Sequence, residues 1–173
     1  EALRRALLGR HVTERGAVEV NEVRIVPQPI GAFVDLLWAD LGADTLARIE
    51  EGTVLVLDAG FYSFDWAVIV AGELRRGASG TSLEAMSVLL ERAAARIAEQ
   101  HGGRPQPPAL EAALRQWREH VLVLGQRVPL KPSLERAARE VGGVALEALR
   151  QALRREATNV DLVVVTGGGG DLY

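Results

Sequence analysis

Residues 53–70, TVLVLDAGFYSFDWAVIV, constrain the fold of this chain more than any other stretch. Residues 54–57 and 66–70 are continuous apolar runs of strand length, rich in β-branched side chains, on either side of Asp58-Ala59-Gly60-Phe61-Tyr62-Ser63-Phe64-Asp65. Runs this short, without helical spacing, predict two buried strands joined by a turn that Gly60 eases. One acidic residue leaves the first strand and another enters the second. A carboxylate beside a turn of backbone N–H groups suits a metal-bound phosphate, because amides bind the anion while the carboxylate orients the cation or its waters. An ordinary hairpin with two solvated aspartates is the other reading, and this stretch alone leaves both open.

Upstream, residues 1–9 have helical spacing, with Leu3, Leu7 and Leu8 apolar and Gly9 as a stop. Residues 12–26 alternate like strands around Glu14-Arg15-Gly16, which predicts a hairpin running into Pro27-Gln28-Pro29. Each proline keeps its predecessor extended until Pro29 sits in the first turn of a helix with Ile30, Phe33, Val34, Leu37 and Leu41 on one face and Gly42 at its end. Downstream, residues 73–78 read as a third strand and 77–80 as a tight turn, with Ser82 capping a helix that carries Leu83, Met86, Leu89, Leu90, Ala94 and Ile97. Arg104-Pro105-Gln106-Pro107-Pro108 is a linker between subdomain elements. A short helix over 110–117, strands over 121–124 and 128–130 across Gly125, and a long helix from Ser133 dented by Gly142-Gly143 follow. Residues 161–165 are read as another buried strand, delivering Thr166-Gly167-Gly168-Gly169-Gly170. Glycines at a strand's C-terminal end allow close approach of a ligand, and in open α/β sheets ligands bind at that edge.

The chain has 173 residues, a high apolar share and no cysteine. One domain or two small lobes follow from that length, a disulfide framework and thiolate chemistry are excluded, and a reducing, cytoplasmic setting is expected. Apolar runs are too short to span a membrane. A net charge of −3 spread over helix faces supplies no basic stripe for direct nucleic-acid binding. His11, His101 and His120 lack metal-ligand spacing and read as surface or capping residues, and Trp38, Trp66 and Trp117 read as core or lobe-interface residues rather than a base-stacking platform.

VPQPIGAF, VLDAGFYSFDWAVI and VVVTGGGGDLY stand in that order along the chain. This order resembles the actin, sugar-kinase and heat-shock-chaperone ATPase superfamily, where a connecting helix, a second phosphate loop and an adenosine loop follow one another. Within it the chain is most similar to plasmid-segregation actins of the ParM/StbA type, with PRTRC system protein D the nearest likeness at PQPIGA, GFYSFDW and the final glycines. The resemblance implies an α/β, actin-like ATPase (ribonuclease H-like) fold. Residues 1–52 would be the end of a first lobe with its connecting helix, and 53–173 a second, nucleotide-binding lobe. It further implies ATP and Mg²⁺, with Asp58 holding the metal through water, Gly60 and Ser63 around the β- and γ-phosphates, and Asp65 closing that loop. Gln28 would orient the attacking water, and Gly167, Gly168 and Gly169 would pass close to the adenosine.

Two departures accompany the likeness. Phe61 and Tyr62 occupy positions that are glycine in the family's loop, which limits the amides able to reach a phosphate, and the first phosphate loop has no counterpart in the sequence. A fragment of a longer chain is therefore expected. Glu111, Arg115 and Arg118 lie on a helix able to line the base pocket but read as residues of an exposed helix face. The function this implies is ATP hydrolysis coupled to self-association into filaments, in plasmid partitioning with a DNA-binding adaptor. A non-catalytic scaffold, or a kinase or chaperone of the same fold, is the alternative.

Overall fold

A computed structural model describes residues 2–155 and 159–170. The sheet at its centre grows from the 53–70 stretch. Strand β3 (Thr53–Ala59) pairs antiparallel with β4 (Phe64–Val70) and parallel with β9 (Leu162–Thr166), while β5 (Glu73–Leu74) and β6 (Gly80–Ser82) both pair with β4. Asp58 and Asp65, expected to flank the turn, lie inside the strands as direct cross-strand partners, so the connection shrinks to Gly60–Ser63.

Because strand residues alternate between faces, β3 feeds two cores. Val54 and Val56, with Ala67 and Ile69 of β4, pack under α2 (Gln28–Leu37) and α3 (Ala43–Glu50) through Phe33 and Ile49. Leu55 and Ala59, with Phe64, Trp66 and Val68, pack on the other face under Ala145 and Leu149 of α6 (Lys131–Arg155). A third core joins α6 to α4 (Met86–His101), α5 (Pro107–Arg115) and the hairpin of β7 (His120–Val123) and β8 (Gln126–Pro129). At about 25 cal/mol per Å², each fully buried Leu, Ile or Val in these cores contributes roughly 1.5–3 kcal/mol against its exposed state. Helix α1 (Ala2–Leu7) and the hairpin of β1 (Gly9–Thr13) and β2 (Gly16–Val20) bury none of their residues.

Several expectations change, each for a physical reason. The second strand of the first hairpin stops at Val20, leaving Ile25 and Val26 exposed and irregular. Helix α2 ends at Leu37, so Trp38 is solvent-facing, and Gly42 begins α3, a helix with too few apolar residues to stand out in sequence. The third strand splits in two. Between β5 and β6 the chain turns at 75–79, and the Ser79 hydroxyl accepts the Val68 N–H at 3.0 Å in place of a ladder carbonyl. Ser82 lies in β6 rather than at a helix cap, and Leu83 is exposed. Helix α4 is instead capped by the turn between β3 and β4: Ser87 N–H donates to the Phe61 carbonyl at 2.8 Å and Met86 N–H to that of Gly60 at 3.4 Å. Helix α6 runs unbroken through Gly142-Gly143, held to α4 by Arg96 and Arg92 on Glu140. Among the described residues β9 is an edge strand, with Val163 and Val165 about half exposed. Asp161, which interrupts that apolar run, accepts the Thr53 N–H at 2.7 Å and so pins the start of β9 to the start of β3.

The Trp66 indole is buried and donates to the Ala78 carbonyl at 2.8 Å, which fixes its ring over Gly80. A Cβ at Gly80 would fall 2.5 Å from that ring. Gly80→Ala is expected to destabilise the protein by about 1–3 kcal/mol, since neither indole nor strand can give way without losing the hydrogen bond. Chemical denaturation measures this, and an unchanged midpoint would show that the ring is free to move.

Candidate nucleotide site

At the C-terminal ends of β3 and β9 the register places three polar residues side by side. Asp58 is the Cα partner of Asp65 on one side and of Thr166 on the other. All three point to the face that α2 covers, because Asp58 continues the alternation of Val54 and Val56. Pro29, pre-set for a helix start, puts Gln28 at the first position of α2, where its side-chain amide favours the ionised form of Asp58. Asp58 is only 4% exposed. Burial, and secondarily the charge of Asp65, push its carboxyl above the usual carboxylate range, while the Gln28 amide opposes them.

Ser63 donates its hydroxyl to Asp65 at 2.5 Å, and Gly60 N–H donates to the Ser63 carbonyl at 3.0 Å, closing the turn. Gly60 is required here because a Cβ would lie 2.8 Å from that carbonyl. The carbonyls of Gly60 and Phe61 are taken by α4, and among the described residues no carbonyl accepts the amides of Phe61 or Tyr62.

The glycine turn folds back on this row. Gly167 has a φ of +90°, and a Cβ there would meet the Ala59 carbonyl and the Asp58 Oδ1 at 2.6 Å each. Gly169 N–H donates to the Ala59 carbonyl at 2.9 Å. Gly168 and Gly169 then line a cleft of about 760 Å³ whose other walls include Phe61, Glu111, Arg115, Trp117 and Arg118. The α5 residues read from sequence as an exposed helix face thus converge on the glycine turn, with Glu111 and Arg115 ion-paired at 3.0 Å. A smaller cleft of about 390 Å³ holds Gln28, Asp65 and Arg76.

The structure brings together Gln28, Asp58, Asp65 and Ser63 at one strand end, and Gly167 and Gly169 onto β3 beside them. Thr166 and Trp117 complete the surroundings and were not singled out as site residues. Register alone selects Thr166, and only a contact between distant segments selects Trp117. The carboxylate pair fits a hard cation whose remaining ligands are water and phosphate, since Mg²⁺ needs only one or two protein carboxylates. The larger cleft falls in the usual size range of small-molecule sites.

The family model for the archaeal actin homologue MreB-like, C-terminal region, matches residues 56–173, more than half of the chain. The chain belongs to this family. In solved structures the actin homologue fold recurs. Ta0583, an archaeal actin homolog, superposes with a TM-score of 0.72 at 19% identity, covering 91% of this chain and 48% of that one. Its complex with ADP gives 0.66 at 22% identity, covering 90% and 48%. A subunit of a 15-stranded ParM filament from Clostridium botulinum gives 0.63 at 16% identity, covering 92% and 48%. These likenesses show the actin-like fold expected from the three ordered motifs, and the chain spans about half the length of the structures it matches. No curated protein matches the sequence. Among the described residues no helix of this family member is long and apolar enough to cross a membrane, and no three metal-ligating side chains cluster.

Proposed function

We propose that the complete protein is a nucleotide-driven actin homologue that binds ATP with Mg²⁺, hydrolyses it and assembles into filaments. The row Asp65–Asp58–Thr166, closed over by the Gly167 backbone, carries this reading, because it sets a buried carboxylate, a second carboxylate and a close-approach glycine at one strand end. In this reading Asp58 and Asp65 orient the metal's waters, while Gly60 and Ser63 position the turn amides toward the phosphates. Gln28 orients the attacking water, and Gly167, Gly168 and Gly169 border the nucleoside. The metal would supply charge neutralisation at the phosphates, and the side chains supply position, which is most of what phosphoryl transfer demands. An ADP-bound archaeal relative and a filamentous ParM relative support nucleotide binding and polymerisation respectively.

The finer assignment is a plasmid-segregation actin of the ParM/StbA type, with PRTRC system protein D as the nearest group and a DNA-binding adaptor as partner. Residues 1–52 would then belong to the first lobe and 53–173 to the second. Helices α2 and α3 pack on the β3–β4 sheet, so they would be the connection on which the lobes move.

Light scattering and electron microscopy of the complete protein with Mg-ATP, with ADP and without nucleotide test this. Nucleotide-dependent filaments and phosphate release are expected, with Gln28→Ala lowering kcat about 10- to 100-fold while nucleotide affinity changes little. A particle that stays monomeric or dimeric in all three conditions, well above micromolar concentration, would favour the scaffold or kinase reading instead.

A further inference from the structure

Helix α5 ends in a Schellman motif. Arg118 N–H donates to the Ala113 carbonyl at 2.9 Å and Trp117 N–H to that of Leu114 at 3.0 Å, which places Trp117 at the left-handed position with φ +54°. That position favours glycine, because a side chain there crowds the backbone. Three non-glycine residues have positive φ among the described residues, and two of them, Ala71 and Leu124, precede a glycine of positive φ in turns between strands. Trp117 is the one at a helix end, and it carries the largest side chain of the three.

Packing does not explain the choice. Trp117 is 87% exposed, so the strained residue places a large apolar ring in solvent rather than in a core. Trp117 lines the 760 Å³ cleft together with Gly168, Gly169, Arg115 and Glu111. An exposed aromatic in a strained conformation at the wall of a cleft is the pattern expected when strain is retained for a ligand. An indole face stacks on any nucleobase.

We infer that Trp117 is a base-stacking residue, its indole packing on the purine of a nucleotide whose phosphates lie toward Asp58 and the glycine turn. This rests on the nucleotide-binding reading of the site and adds to it the group that recognises the base. The exposed ring then gains an apolar partner on binding.

Calorimetry on the complete protein, with Mg-ATP and with inorganic tripolyphosphate as a probe that has no base, tests the inference. Trp117→Gly relieves the backbone, so the variant is expected to fold and to melt at or above the parent's temperature. Its Mg-ATP affinity is expected to fall about 5- to 100-fold with tripolyphosphate affinity unchanged, and Trp117→Phe should recover most of the loss. Unchanged Mg-ATP affinity in Trp117→Gly overturns the stacking role alone. Equal weakening of both probes also overturns it, because the residue then acts through the fold. A parent that binds no Mg-ATP overturns the reading of the site, and the stacking role with it.

Discussion

Asp58→Asn is expected to make the complete protein more resistant to heat and, at the same time, unable to turn over ATP. The carboxyl is buried, faces Asp65 across the strand pair, and has its pKa raised by both, with only the Gln28 amide opposing. A carboxyl whose folded pKa lies above its unfolded value binds its proton more tightly when folded. Its favourable contribution is therefore complete below the unfolded pKa and is lost as pH rises through the raised folded one. At neutral pH the parent carries that cost and the amide, which is isosteric and uncharged, does not. Scanning calorimetry at pH 7 should show a higher melting temperature for the variant than for the parent, the gain shrinking toward zero as the pH falls below about 4. Turnover should fall by roughly 10²- to 10⁴-fold, since the group that orients the metal is gone. A variant that is less stable at neutral pH, or that hydrolyses ATP at the parent's rate, would remove Asp58 from the site.

Gly167→Ala should be the most damaging single-methyl change in the glycine turn. The added Cβ meets the Ala59 carbonyl and the Asp58 carboxylate at 2.6 Å each, and the backbone sits at a φ that side chains rarely adopt, so steric and torsional costs add. A loss of about 3 kcal/mol in denaturant unfolding is expected, with nucleotide binding lost at the same time because Asp58 must shift. Gly168→Ala is the matched control. Nothing lies within 4 Å of its Cβ position and its φ is ordinary, so stability should change by less than about 0.5 kcal/mol even though it lines the cleft. Equal stability of the two variants would show that Gly167 does not hold β9 against β3.

Legibility followed the range of the interactions. The β3 and β4 runs and the start of α2 at Pro27-Gln28-Pro29 are readable because each is set by residues within a few positions. The splitting of the 73–78 strand was not. It depends on a Ser79 hydroxyl accepting the Val68 N–H of β4 where a ladder carbonyl would otherwise do so, a contact across 11 positions that no periodicity records. Gln28, Asp58, Ser63 and Asp65 were nominated by motif order, and the structure then places them within one strand end. The burial of Asp58 was hidden, because a carboxylate after an apolar run looks the same whether the next element covers it or leaves it open.

By itself the sequence determined which segments had to be buried, where φ had to be set by proline or relaxed by glycine, and the order of motifs that carries the family likeness. These follow from side-chain hydrophobicity and backbone sterics, which act locally. Only the tertiary structure decided the pairing of β3 with β9 that lines up Asp58 with Thr166. The same holds for the capping of α4 by carbonyls from the 60–61 turn, and for the meeting of α5 with the Gly168-Gly169 turn around Trp117. Each joins groups far apart in the chain. Their geometry is fixed by the shared cores under the sheet and under α6 rather than by any preference of the residues that meet.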